Sequence, residues 1–276
     1  MKLAFVFAVL LVAACNSDAA APHLARGNVL VNNGRKDEAA QEYREAARLS
    51  PRSALARERL GDTLYDLGRK DEALAAYREA AALATESAFT SRIGAARVLE
   101  SKGDFAGARA ELSAGLEKAP TNLFLLLSRG NLAARAGDKK AALADAERAV
   151  HLKSDNVPAL YQYGLALLDD GQVPLAGATF DRLLEIAPRS PEGYYGRART
   201  FAARGEGAFA AEALAAAGKL VQADARTRLE EQGLKGEALE QAAQAAAHRS
   251  LLGMQKDPAF ARWAHDDGFR RGADWP

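Results

Sequence analysis

Four histidines, one cysteine and a few paired carboxylates are the side chains of this sequence with the types to do chemistry. His23, His151, His248 and His265 stand far apart, and none has a second ligand at helical metal-binding spacing. His265-Asp266-Asp267 could hold a cation only weakly and reads as a solvated tail. A single cysteine, Cys15, excludes an internal disulfide framework and a Cys-rich zinc site. No Gly-x-Ser-x-Gly elbow is present. Gly205-Glu206-Gly207-Ala208-Phe209-Ala210 has the outline of a dinucleotide loop, but such a loop needs a strand before it, and here a helical segment precedes. Asp37-Glu38 and Asp71-Glu72 both open helical segments, where carboxylates favour the positive helix end. These residues assign no catalytic group, no metal site and no cofactor.

The elements around them are helical by composition. Of 276 residues, 49% are hydrophobic and 26% charged, which is a globular balance. Aromatics make up only 7% and alanine is abundant, which suits closely packed helices better than a sheet. Lys+Arg is 37 against Asp+Glu 36, so no basic excess points to nucleic acid.

The N-terminus has its own logic. Lys2 precedes an apolar run from Leu3 to Ala14, too short to span a bilayer comfortably and of the right length for a signal-peptide core. The run ends Val12-Ala13-Ala14-Cys15, which resembles the bacterial lipobox. The resemblance implies removal of residues 1–14, lipidation of Cys15 on sulfur and acylation of its new amino group. Loss of Lys2 leaves 36 basic against 36 acidic side chains. Asn16 after the cysteine favours the outer membrane under the sorting rules that the resemblance brings. Residues 15–22 then read as a short tether. An ordinary secretory signal with a chance cysteine is the alternative.

The strongest pattern is a period. Gly34, Gly68, Gly103, Gly137, Gly171 and Gly205 recur every 34 or 35 residues. Five residues after each comes alanine: Ala39, Ala73, Ala108, Ala142, Ala176 and Ala210. Four further on come Tyr43, Tyr77, Leu112, Ala146, Phe180 and Leu214, and three beyond those a further set, mostly alanine. Pro51, Pro120 and Pro188 close three units, and Gly27, Gly61, Gly130 and Gly164 lie seven residues before a turn glycine. The glycine takes the left-handed turn that ends one helix. The alanine lets the next helix approach, and the ring or leucine fills the groove between them.

This spacing resembles the tetratricopeptide repeat (TPR). The resemblance implies an all-α solenoid of about six to seven helix-turn-helix hairpins in a right-handed superhelix. The units read 20–53, 54–87, 89–122, 123–156, 157–190 and 191–218, within an array over 23–218. Ala96 and Gly115 depart from the pattern in the third unit and predict a local soft spot there. A degenerate seventh hairpin covers 219–252, starting near Lys219. A tail over 253–276 resembles segments that close such arrays, with Asp257-Pro258-Ala259-Phe260 and the variant step Asp266-Asp267-Gly268-Phe269. Phe260, Trp263 and Phe269 are expected to bury and Arg262, Arg270 and Arg271 to face water.

In the family, chosen places of each first helix line the concave face. Here they hold Asn28, Glu58, Asp62, Tyr65, Ile93, Arg97, Glu100, Asn131, Tyr161, Tyr195 and Arg199. Of these, Asn28, Asp62, Tyr65, Arg97, Asn131, Tyr161, Tyr195 and Arg199 form the candidate partner groove, since Tyr, Arg and Asn make adaptable, dense contacts. The carboxylate clamp of chaperone-binding relatives is incomplete: Asn28 is present, but Leu24 and Arg59 fill the other two places. The expectation is a non-catalytic interaction scaffold, lipid-anchored at the periplasmic face of the outer membrane, holding a peptide or helix of a protein partner in an envelope assembly or secretion complex. An enzyme with its site in residues 219–276, and a self-associating structural module, are the alternatives.

Overall fold

The computed structural model describes residues 19–84, 88–263 and 265–273, and among these every regular element is helical. The apolar run and Cys15 lie outside the described residues. Two compact units divide the chain, Met1–Leu132 and Ala133–Pro276.

The first unit holds α1 (19–32), α2 (Lys36–Leu49), α3 (Ala54–Asp66), α4 (Lys70–Leu83), α5 (Ala88–Ser101), α6 (Phe105–Lys118) and most of α7 (Leu123–Arg135). Odd-numbered helices are the first (A) and even-numbered the second (B) of each hairpin. Gly34, Gly68 and Gly103 have φ between 75° and 81°, as the period requires. At Gly68 the turn closes with Arg69 N–H donating to Leu64 O at 2.9 Å, the six-to-one bond that satisfies an orphan carbonyl at a helix end. Ala39, Ala73 and Ala108 are fully buried, and Tyr43, Tyr77 and Leu112 fill the groove beside them.

The second unit holds the rest of α7, then α8 (Lys139–Leu152), α9 (Val157–Asp169), α10 (Val173–Ile186), α11 (Pro191–Arg204), α12 (Gly207–Glu231), α13 (Gly236–Gln255), a 3₁₀ segment (Pro258–Trp263) and α14 (Asp267–Gly272). Its turn glycines Gly137, Gly171 and Gly205 have φ of 80° to 83°. Ala176, Phe180, Ala210 and Leu214 are buried at the repeat's core places.

Two boundaries and one expected burial differ from the reading of the sequence. The chain is already helical at residue 19, within the expected tether, and Ala20 is buried there against Ala46 and Ala56. The expected break near Lys219 falls inside α12, which runs unbroken for 25 residues. Gly218 is buried there without interrupting it, and the turn comes at Gly233, with φ 91°. In the tail, Phe260 and Phe269 bury in one cluster with Ala202, Ala210, Ala211 and Leu214, whereas Trp263 is only half-buried. The indole instead covers Gly207, where a Cβ would come 2.7 Å from its Nε1.

Glycines also make room for rings. A Cβ on Gly61 would come 2.9 Å from the Tyr77 ring, and one on Gly94 2.4 Å from it. Phe180 lies in the same way between Gly164 and Gly196, at 2.6 and 2.2 Å. Each ring is thus held between a glycine of its own A helix and one of the next A helix. In the third unit Leu112 stands where a ring would, and Ala96 rather than glycine suffices. Gly115 in turn admits Leu125, which would meet a Cβ at 2.8 Å.

Candidate functional site

In the first unit the A-helix face is built on tyrosines that reach through from the B layer. Tyr43 of α2 is buried, and its hydroxyl donates to Asn28 Oδ1 at 2.8 Å. One repeat on, the buried Tyr77 of α4 donates to Asp62 Oδ1 at 2.6 Å. Both pairs are fifteen residues apart in sequence. The next B helix has Leu112 at this place and cannot donate. Arg97 therefore turns toward the preceding hairpin, donating to the Tyr77 hydroxyl at 3.1 Å and lying 3.4 Å from Asp62 Oδ1. Its guanidinium also sits 4.4 Å from the Tyr65 ring centroid, a cation–π contact. Burial, then the bond to Asp62, pushes the Tyr77 hydroxyl well above its usual range.

Glu58 accepts from Thr90 and Ser91 at 2.6 and 2.9 Å, tying the start of α3 to the start of α5. Beside this network a cavity of about 330 Å³ lies between α1 and α3, with Asn28, Asn32, Arg59 and Asp62 in its walls. Lys36 and Asp66 close one end with a 2.8 Å ion pair. Asn28, Asp62, Tyr65 and Arg97 are thereby brought onto one polar and aromatic face. Asn131 is exposed on α7. The contributions of Tyr43 and Tyr77 escaped the sequence reading, which placed both in the core; the recurring fifteen-residue spacing to Asn28 and Asp62 was the available signal.

The second unit uses its A-helix face differently. Tyr195 of α11 donates to Asp257 Oδ2 at 2.5 Å, and Arg199 Nε lies 3.2 Å from the same oxygen. Arg199 Nη2 also donates to Asp169 at 3.3 Å. Both members of the Arg199–Asp257 pair are largely shielded, with side chains 19% and 13% exposed. Asp257 turns its other oxygen to Ala259 N–H at 2.8 Å, and Phe260 packs on Tyr195 with ring centroids 6.2 Å apart. The Asp-Pro-x-Phe step thus docks on α11, and Tyr195 and Arg199 hold it. Asp266 repeats the device by accepting from Phe269 N–H at 2.7 Å. Arg262 donates to the carbonyl of Ala202 and stacks 4.3 Å from the Trp263 ring centroid.

Tyr161 leans on Phe180 and lines a cavity of about 410 Å³ with Tyr195, Glu192, Asp224 and Arg228. Burial pushes the Tyr161 hydroxyl up to about 12, opposed by the nearby Arg199 charge. Sequence reasoning missed Asp257 as a partner because it lies 62 residues from Tyr195.

Stacked helical hairpins with left-handed glycine turns, alanine contacts and one polar A face per unit define a helical-repeat protein. The family model of the tetratricopeptide repeat matches residues 24–88 and 127–191, and the chain carries tetratricopeptide repeats over both stretches. Among solved structures it is similar to a TPR protein from Parabacteroides merdae, at 17% identity over 94% of this chain and 98% of the other, with a TM-score of 0.60. It is also similar to the C-terminal part of a TPR protein from Cytophaga hutchinsonii, at 17% identity over 90% and 98%, with a TM-score of 0.57. A third, YrrB, is described as a TPR protein with an unusual peptide-binding site. Identity there is 24% over 71% of this chain and 100% of YrrB, with a TM-score of 0.50. At such identities the likeness carries the fold alone. No curated protein matches the chain by sequence. The fold is that of a protein-interaction scaffold.

Proposed function

We propose that this chain is a non-catalytic scaffold, lipid-anchored through Cys15 at the periplasmic face of the outer membrane. Its first unit binds an extended peptide or a helix of a protein partner. The observation that carries the reading is the face of α1, α3 and α5. There Asn28, Asp62, Tyr65 and Arg97 share one polar and aromatic face beside an open cavity, backed by Tyr43 and Tyr77. Such a surface offers side-chain and π contacts while its backbone bonds are already satisfied within helices. The peptide-binding description of YrrB agrees with this use of the fold. The Val12-Ala13-Ala14-Cys15 ending supports the anchor, and Asn16 the outer membrane.

In the second unit Tyr195 and Arg199 are engaged by the tail, so the partner surface there centres on Tyr161. The decisive variants therefore belong in the first unit. Replacing Asp62 by Lys and Arg97 by Glu should reduce recovery of the bound partner about tenfold or more, the effect of losing roughly 1.4 kcal/mol or more of contact energy, while far-UV helicity is kept. Unchanged recovery would remove the first-unit face from the account. Density-gradient separation of envelopes should place the parent chain with the outer membrane and Cys15→Ala in the soluble fraction.

A further inference from the structure

The two edges of the first unit differ in chemistry. The edge that holds the glycine turns is mostly charged: Lys36 pairs with Asp66, Lys102 with Asp71, Arg35 with Glu38 and Arg69 with Glu72, with Phe105 among them 37% exposed. The opposite edge, where A helices begin and B helices end, is apolar at its rim. Leu55, near the start of α3, is 51% exposed and Phe124, near the start of α7, 62% exposed. Phe89, near the start of α5, is half-buried and stacks on Phe124, with centroids 6.0 Å apart and planes 9° apart. Leu83, which ends α4, is 37% exposed.

That edge is also where the chain enters. Ala20 packs against Ala56 of α3, and Glu58 bonds Thr90 and Ser91 of α5. With the Phe89–Phe124 stack, these contacts put the starts of α1, α3, α5 and α7 side by side. Between Cys15 and residue 19 lie only three residues, a reach of about 14 Å even fully extended.

We propose that this edge of the first unit rests in the headgroup region of the bilayer that holds the Cys15 anchor, with Leu55, Phe89 and Phe124 entering it. The proposal rests on the anchor reading. A tether of this length keeps the start of α1 at the lipid surface, and the edge beside it carries the apolar side chains. Large apolar residues with basic neighbours are what an interfacial surface needs. Arg52 in the α2–α3 loop and Lys118 at the end of α6 supply the cations, beside the acid Glu117, while Glu45 and Glu79 on this edge are paired with Arg48 and Arg57. No helix among the described residues is long and apolar enough to cross a membrane, so the contact is interfacial.

The test uses the full chain, produced in a bacterial host and recovered from its membranes. Leu55→Cys, Phe124→Cys and, on the charged edge, Asp37→Cys are each labelled with bimane. Each is placed in phosphatidylethanolamine–phosphatidylglycerol vesicles containing brominated acyl chains, and circular dichroism checks that it keeps the parent's helicity. Emission at positions 55 and 124 should fall by about half or more relative to position 37, because bromine quenches only dyes near the acyl boundary. Equal quenching at all three positions, with a lipid-modified Cys15 peptide in the mass spectrum, overturns the edge and leaves the anchor standing. An unmodified Cys15 peptide overturns the anchor and this proposal with it. Concentration-dependent shielding of positions 55 and 124 without bromine quenching assigns the edge to a protein surface instead and overturns the lipid contact.

Discussion

The rings of Tyr77 and Phe180 each rest on two glycines, and this pairing shows which residues set the local geometry. A methyl on Gly94 would stand 2.4 Å from Tyr77 and has no room. Gly94→Ala should cost about 1–3 kcal/mol, the usual penalty of overpacking, and shift the urea midpoint accordingly. Combined with Tyr77→Leu the two changes should be less than additive, since removing the ring relieves the clash and the added methyl fills part of the space the ring leaves. At Gly68 nothing lies within 4 Å, but φ is 75°, so Gly68→Ala should cost about 1–2 kcal/mol from backbone conformation alone. The turn glycines were legible because their period is a property of one sequence column. Gly94 and Gly196 were not, because each serves a ring in the preceding hairpin. The tyrosines make a separate prediction. Burial, first of all, raises the hydroxyls of Tyr77, Tyr161 and Tyr195, so they stay neutral in the fold after unfolded tyrosine has ionised. Stability is therefore held below about pH 10 and falls as pH rises from there toward the folded values. Absorbance at 295 nm should show Tyr161 titrating at about 12 and Tyr77 and Tyr195 well above the usual tyrosine range. A single step near 10 for all seven tyrosines would contradict this burial.

Among the elements, the tail is the one whose role the structure changes. From the sequence alone it reads as a cap, and Tyr195 and Arg199 read as partner residues. The structure joins the two ideas at Asp257, which both residues hold. No local pattern connects positions 195 and 257, so only the folded chain could show it. The burial of its two phenylalanines was readable: the Asp-Pro-x-Phe and Asp-Asp-Gly-Phe steps each bury one and use the first aspartate as a backbone acceptor. Asp257→Ala leaves Arg199 and Tyr195 shielded without this partner. It should cost about 1–3 kcal/mol and loosen the tail before the helices, since Arg199 keeps Asp169. Hydrogen exchange should then quicken at 258–273 while α9 and α10 stay protected. Uniform quickening throughout the second unit would mean that the tail and repeats melt together. The run of α12 through position 219 was missed for a simpler reason: Gly218 looked like punctuation, yet a buried glycine within a packed helix costs only about 0.5–1 kcal/mol.

The molecule as a whole holds two repeat units, each using its A-helix face differently. In the first, the A helices present Asn28, Asp62, Tyr65 and Arg97 beside an open cavity; in the second, part of that face is taken by the chain's own tail. The repeat class was fully legible from spacing, because each hairpin cannot bury its apolar side alone and so every unit repeats the same contacts. Which unit offers a vacant surface was not, because vacancy depends on where residue 257 lands. The central claim is that the first unit's A face binds a protein partner. The measurement is photo-crosslinking in intact cells, with a photoreactive residue placed at position 65 on that face or at the exposed position 75 on α4. One discrete adduct should form from position 65, absent from position 75 and lost when Arg97 is changed to Glu. Equal capture from both positions, or an adduct indifferent to Arg97→Glu, would contradict it.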